Sequence, residues 1–167
     1  LPLSLPHWSF YESILSFPSL TYNITIVQYS YKGRGYFMKG YFDGAARGNP
    51  GPAGAGALLI DDNDNIIWET ARSLGTKTNN EAEYSALILL LKAAKERDIM
   101  RLDVYGDSKL VICQVSKQWK INLPHLRALA EKVWDITKDM NVSYKWIPRE
   151  ENTLADNLSD EAIDSSL

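Results

Sequence analysis

The sequence predicts an α/β domain built on a five-stranded mixed sheet with helices on both faces. Three short apolar runs, separated by turns rich in Gly, Pro, Asp and Asn, fill the first part of residues 38–164. Helical segments then alternate with two further strand-like runs. Hairpins make the first three strands an antiparallel meander, whereas strands joined through helices are expected to be parallel.

Three strands are predicted in the first part of this domain, at 40–43, 54–60 and 66–74. Between the first two lies a loop dense in Gly and Pro, in which glycines permit unusual backbone angles and Pro50 and Pro52 fix the path. A polar turn at 61–65 joins the second and third strands. Asp43 is therefore held at the end of a strand, beside a loop that allows close approach of a ligand.

The second part alternates helices and strands. The helix at 80–96 is rich in Ala and Leu, and we expect Asn79 or Asn80 to cap it. Asn152 is the expected cap of the closing helix. The predicted elements are the helix at 80–96, a strand at 101–106, helices at 108–117 and 123–139, a strand at 141–147 and a helix at 152–163.

Residues 1–37 differ from the rest of the chain. They are rich in Ser, Tyr, Leu and Pro, and their only charged residues are Glu12, Lys32 and Arg34. Neither a helical nor a strand period is evident. We expect a poorly ordered N-terminal extension over 1–37, or upstream sequence absent from the mature protein, and a folded domain over 38–164.

Composition and charge exclude several classes of protein. Residues 38–167 carry 16 basic and 20 acidic side chains, which disfavours nucleic-acid binding by bulk positive charge alone. The single cysteine, Cys113, supports neither a disulfide framework nor a cysteine–zinc site. No apolar run reaches the roughly 18 residues of a membrane span. We expect an intracellular monomer of unspecified compartment, without a membrane partner or a small-molecule cofactor.

Three acidic residues stand at strand ends or helix starts. Asp43 ends the first strand, and Asp107 follows the fourth at the edge where ligands of open sheets gather. Glu83 lies about 200° around its helix from Glu81, on the apolar side. Two structural alternatives stay open: Glu83 could complete a capping box with Asn80, and Asp107 could cap the next helix.

A fourth acid comes from the closing helix, where Asp156, Asp160 and Asp164 recur every four residues. Helical periodicity does not decide which of them points inward. Carboxylates without His or Cys favour Mg²⁺ or Mn²⁺ over zinc. Two such ions about 4 Å apart suit an in-line attack on a phosphodiester.

Residues 38–164 resemble the type-1 ribonuclease H family, most closely its small single-domain members of archaeal or plant type. The motifs that carry the resemblance are DGAARGNPGPAGAG at 43–56, TNNEAEY at 78–84, GDSKLV at 106–111 and IPREENTLADNLSDEA at 147–162. All four occur in the family's order.

The resemblance implies a ribonuclease H-like fold and cleavage of the RNA strand of RNA/DNA hybrids, leaving 5′-phosphate and 3′-hydroxyl ends. Two Mg²⁺ ions, or Mn²⁺, would be bound by the family's four acids. These acids fall on Asp43, Glu83, Asp107 and Asp156. The family's hybrid-contacting asparagines correspond to Asn49, Asn79 and Asn80, and Thr78 to a phosphate-contacting threonine.

The sequence departs from the family pattern in two places. The loop at 147–151 lacks the histidine that many members carry, and Arg149 is expected to contact phosphate there instead. The basic helical protrusion of many bacterial members is absent. Three other functions stay open: a weakly active or inactive module that binds hybrid or RNA, a retroelement-derived nuclease domain, and a metal nuclease acting on DNA.

Overall fold

The computed structural model describes residues 38–165, so the predicted extension over 1–37 lies outside the described residues. Its elements, in chain order, are β1 (Met38–Ala46), β2 (Gly51–Ile60), β3 (Ile66–Lys77), α1 (Asn79–Glu96), β4 (Arg101–Gly106), α2 (Lys109–Val115), α3 (Pro124–Thr137), β5 (Asn141–Trp146), a 3₁₀ turn (Arg149–Glu151) and α4 (Thr153–Asp164).

The strands form one sheet in the order β3-β2-β1-β4-β5. β1 pairs with β2, and β2 with β3, antiparallel. β4 pairs with β1 and with β5 in parallel. This is the predicted mixed sheet, an antiparallel meander extended by two parallel strands, and the fold prediction is confirmed.

Helices cover both faces of the sheet. A Cβ placed on Gly40 of β1 would meet the Leu90 side chain of α1, so α1 packs on that face. A Cβ on Gly56 of β2 would lie 2.2 Å from the backbone oxygen of Ala155, so α4 packs on the opposite face. Between the sheet and α1 lies the main apolar core, which includes the fully buried Phe42 and Tyr84. No helix within residues 38–165 is long and apolar enough to cross a membrane.

The turn between β1 and β2 is much shorter than the sequence predicts. β1 continues to Ala46 and β2 begins at Gly51, so four residues make the connection, including a cis peptide bond between Asn49 and Pro50. The glycines beyond the turn belong to β2. Their role is to let a helix approach the strand, because each added Cβ at Gly54 or Gly56 would meet the backbone of α4.

The helix caps also differ from the prediction. Thr78, not Asn79 or Asn80, caps α1, and it forms a capping box with Glu81. A threonine cap fits because its hydroxyl accepts the Glu81 amide hydrogen while the Glu81 carboxylate accepts from the Thr78 backbone. Asn152 does occupy the N-cap position of α4, but its side chain makes no cap hydrogen bond.

Candidate active site

Three carboxylates converge beside the end of β4 and the start of α1, with Asp43 contributed from within β1. Asp43, Glu83 and Asp107 each contribute one oxygen to a group whose members lie within 4.8 Å of one another. Asp43 and Glu83 are both 5% exposed, and Asp107 is half-buried. The capping alternatives fail for both ambiguous acids, because Glu81 completes the capping box of α1 and Ser108 caps α2.

Close backbone contact brings Glu83 to Asp43. A Cβ added at Gly44 would lie 2.1 Å from the backbone nitrogen of Glu83, so the first turn of α1 rests directly on β1. At this contact the Gly44 amide donates to Glu83 Oε2 at 3.2 Å. The glycine after Asp43 therefore sets the distance between the first two carboxylates.

Asp156 approaches the group from α4 but is held differently. Its Oδ1 is 2.5 Å from a guanidinium nitrogen of Arg149, which is itself 70% exposed. The other two acids of α4 do not join the site: Asp160 is exposed, and Asp164 forms an ion pair with Arg47 at 2.6 Å. Of the three acids that periodicity left open, Asp156 is the one whose charge raises the pKa values of Asp43 and Asp107, although it lies outside the group of three.

The electrostatics of the group indicate an excess of buried negative charge. Burial raises the pKa of Asp43 to about 6, although the Ser159 hydroxyl opposes the shift. Burial, followed by the charges of Asp43 and Asp107, holds the pKa of Glu83 well above its usual range. Burial also raises the pKa of Asp107. The positive charge of Arg149 lowers all three pKa values, and it does not offset burial.

These residues fit a divalent cation. The donors are hard carboxylate oxygens, which suit Mg²⁺ or Mn²⁺. A bound cation would stabilise the ionised carboxylates, which burial and then mutual repulsion disfavour.

A pocket of about 440 Å³ opens beside the carboxylates. Its lining combines the three carboxylates with an aromatic side chain, a positively charged side chain and the start of α1. The lining residues are Asp43, Gly44, Ala45, Asn79, Glu83, Asp107, Ser108, Trp146 and Arg149.

The predicted substrate contacts lie around this pocket to differing degrees. Arg149 and Asn79 line the pocket. The side-chain oxygen of Asn49 accepts a hydrogen bond from the backbone amide of Asn79 at 3.1 Å. Asn80 is half-buried and does not line the pocket. The Thr78 hydroxyl is 2.8 Å from Glu81 Oε2, so it is engaged in the cap.

Sequence reasoning missed three side chains at the site. Trp146, at the end of β5, is 49% exposed and donates from its indole nitrogen to the Asp107 carbonyl at 2.9 Å. Ser159 is fully buried and donates to Asp43 Oδ2. Asn152, taken as a cap, donates instead to the Phe42 carbonyl at 2.9 Å. A polar residue three positions after Asp156, on the same helix face, was the available signal for Ser159.

Known proteins resemble this chain over the same region. A family model described as "Reverse transcriptase-like" matches residues 41–162. Ribonuclease HI of Halobacterium salinarum is 38% identical over 136 residues, which are 80% of this chain and 67% of that protein. A bifunctional protein of Mycobacterium tuberculosis is 39% identical over 126 residues, and the chain spans only 35% of its length.

Solved structures extend the likeness to the fold. The crystal structure of the Halobacterium RNase H1 matches with a TM-score of 0.75 and 38% identity, covering 77% of this chain and 98% of that one. LC11-RNase H1 in complex with an RNA/DNA hybrid matches with a TM-score of 0.74 and 37% identity, again covering 77% of this chain and 98% of that one. Sequence motifs, sheet order and these relatives agree, and the chain belongs to the type-1 ribonuclease H family.

Proposed function

We propose that this chain is a metal-dependent endonuclease that hydrolyses the RNA strand of RNA/DNA hybrids. The observation that carries the proposal is the convergence of Asp43, Glu83 and Asp107 beside an open pocket. A relative of the same fold, LC11-RNase H1, has been solved with an RNA/DNA hybrid, which supports hybrid as the substrate here.

In this proposal Asp43, Glu83, Asp107 and Asp156 hold two Mg²⁺ ions, with Mn²⁺ able to replace them. Bound ions would activate the attacking water and stabilise the charge of the departing 3′ oxygen. The four carboxylates supply the ligand oxygens, and the buried position of Asp43 and Glu83 excludes bulk water from one side of the site.

The remaining pocket residues orient the nucleic acid. Arg149 is exposed and reaches the site, where it forms an ion pair with Asp156. Its guanidinium can leave Asp156 and instead bind a phosphate of the nucleic-acid backbone through two parallel hydrogen bonds. Asn79 presents a neutral amide at the start of α1. Neutral amides suit contact with groove edges and 2′-hydroxyls, which distinguish RNA from DNA.

The decisive experiment measures cleavage of a strand-labelled RNA/DNA hybrid in Mg²⁺ and in Mn²⁺, beside RNA/RNA and DNA/DNA duplexes. We expect cleavage of the RNA strand of the hybrid alone and its loss in Asp107→Asn. Asp160→Asn is the matched control, since it removes one exposed charge from the same protein, and it should cut at the wild-type rate.

Two results would contradict the proposal. Hybrid that is bound but not cut in either metal would favour a binding module of the same fold. Cleavage of the DNA duplex at a comparable rate would favour a DNA nuclease. Calorimetric titration of Mg²⁺ tests the number of ions directly, because two ions per chain are expected in the presence of uncleavable hybrid.

A further inference from the structure

Ser159 makes a contact with the site that the four acids do not explain. It lies on the face of α4 that packs against the sheet, and it is 0% exposed. Its Oγ donates to Asp43 Oδ2, and the Asp156 carbonyl oxygen lies 2.9 Å away as an alternative acceptor. A serine hydroxyl has one proton, and an ionised carboxylate accepts it more strongly than a peptide carbonyl does.

The fold enforces this contact through the backbone. Asp43 of β1 lies opposite Gly56 of β2 in the antiparallel register. A Cβ at Gly56 would lie 2.6 Å from the Ser159 nitrogen, and one at Gly54 would lie 2.3 Å from the Ser159 oxygen. Ser159 therefore rests on the strand next to Asp43, and its side chain has little freedom to move elsewhere.

Glu83 is held in a parallel way. Its Oε2 accepts from the Gly44 amide, as Asp43 Oδ2 accepts from Ser159. In each of the two most buried carboxylates, one oxygen accepts a hydrogen bond from a fixed donor, and the other has no hydrogen-bond partner among residues 38–165. A donor of this kind stops rotation of the carboxylate about its last side-chain bond, so less orientational freedom is lost when a cation binds.

We propose that Ser159 is a positioning residue that fixes the Asp43 carboxylate for metal binding, an inference that rests on the proposed function. Ser159 does not touch the substrate or the ion. It acts through Asp43 alone, by holding Oδ2 and so fixing the carboxylate within the group that Asp43 forms with Glu83 and Asp107.

Ser159→Ala is the direct test, because it removes one oxygen and leaves a residue that fits the same space and favours a helix. Ser116→Ala is the matched control: the Ser116 hydroxyl donates to the Ile112 carbonyl at 2.6 Å, at the end of α2. Calorimetric titration of each folded protein with Mg²⁺ and with Mn²⁺, without nucleic acid, measures ion affinity independently of cleavage. We expect the ion to bind about tenfold more weakly to Ser159→Ala and unchanged to Ser116→Ala.

A double-mutant cycle separates positioning from simple packing. Urea unfolding in EDTA is measured for Ser159→Ala, Asp43→Asn and the double variant, and the two changes should be non-additive if the hydroxyl and the carboxylate interact. Ion affinity equal to the wild type in Ser159→Ala, whatever its stability, would overturn the positioning role. Additive effects on unfolding would overturn the contact itself.

The outcomes for the wild-type chain distinguish failure of the proposed function from failure of the positioning role. If the wild-type chain neither binds Mg²⁺ nor cuts hybrid, both the proposed function and the positioning role are wrong. If the wild type does both and Ser159→Ala binds the ions as the wild type does, the positioning role alone is wrong.

Discussion

Gly44→Ala tests whether backbone contact between β1 and α1 sets the carboxylate geometry. The added Cβ would lie 2.1 Å from both the carbonyl carbon of Ala82 and the nitrogen of Glu83. Both are backbone atoms, so no side chain can rotate out of the way. Ordinary contact begins at 3.4 Å, so β1 and the first turn of α1 must separate by at least about 1.3 Å. The close-packed interior opposes that movement.

The expected loss has two parts. Overpacking at the buried contact should lower the free energy of unfolding by about 1–3 kcal/mol. Moving Glu83 away from Asp43 by more than about 1 Å should reduce kcat for hybrid cleavage at least roughly 100-fold, since catalytic groups tolerate little misplacement. Urea unfolding measures the first quantity, and steady-state cleavage of hybrid in Mg²⁺ measures the second.

Gly75→Ala is the control, because it destabilises without moving a helix. No atom lies within 4 Å of a Cβ at Gly75, but its φ of +68° would strain an alanine by about 1 kcal/mol. It should lose stability and retain kcat. A folded Gly44→Ala protein that cuts hybrid at the wild-type rate would refute the argument that this contact positions Glu83.

Three further predictions concern pH, capping and the pocket wall. Asp43 has a folded pKa of about 6 against 3.8 for the ordinary group, so the folded ion-free chain keeps a proton that the unfolded chain has lost between these values. The free energy of unfolding of the chain in EDTA should therefore fall as pH rises from about 4 to about 6. The fall should be smaller in Asp43→Asn, and an equal fall in both proteins would contradict the raised pKa of Asp43. Thr78→Ala should cost about 1 kcal/mol in urea unfolding by removing the cap of α1, and Thr78→Ser should cost less. An increase in KM for Thr78→Ala without loss of stability would instead support a substrate contact. Trp146→Ala should raise KM about tenfold if bases or sugars stack on the exposed indole. Trp119 is similarly exposed, at 47%, but lies outside the pocket lining, so Trp119→Ala should leave KM unchanged.

The mixed sheet, an antiparallel meander with parallel strands added, could be predicted from the sequence because hydrophobic period and turn residues act locally. The order of the strands in the sheet was not predicted and comes from the structure. Strand β4 (Arg101–Gly106) was predicted with its observed bounds, since an alternating run ends there at Gly106 and Asp107. The first hairpin was misjudged. Residues 44–46 and 51–53, predicted as loop, belong to β1 and β2. The contact of Gly54 and Gly56 with α4 was not foreseen, because a contact with a helix so distant in the chain leaves no local signal.

In the candidate site, too, local sequence signals identified some residues, and those that depend on distant contacts were missed. Strand ends and helix starts placed Asp43, Glu83 and Asp107 near one edge, and these three do converge. Their assignment as metal ligands stays a prediction, as does that of Asp156. The local argument could not choose Thr78 over the two asparagines as a cap, because both residue types cap helices well. Ser159 was overlooked because its partner lies 116 residues earlier in the chain.

That separation has a consequence for synthesis on the ribosome. At about 5–20 residues per second, β1 emerges roughly ten seconds before α4 is made. Until α4 docks, Asp43 has no Ser159 donor, and Asp156 is absent from the site altogether. The nascent chain therefore acquires Asp156 and Ser159 only with its final described helix, and a ribosome-bound fragment that stops before residue 153 lacks both.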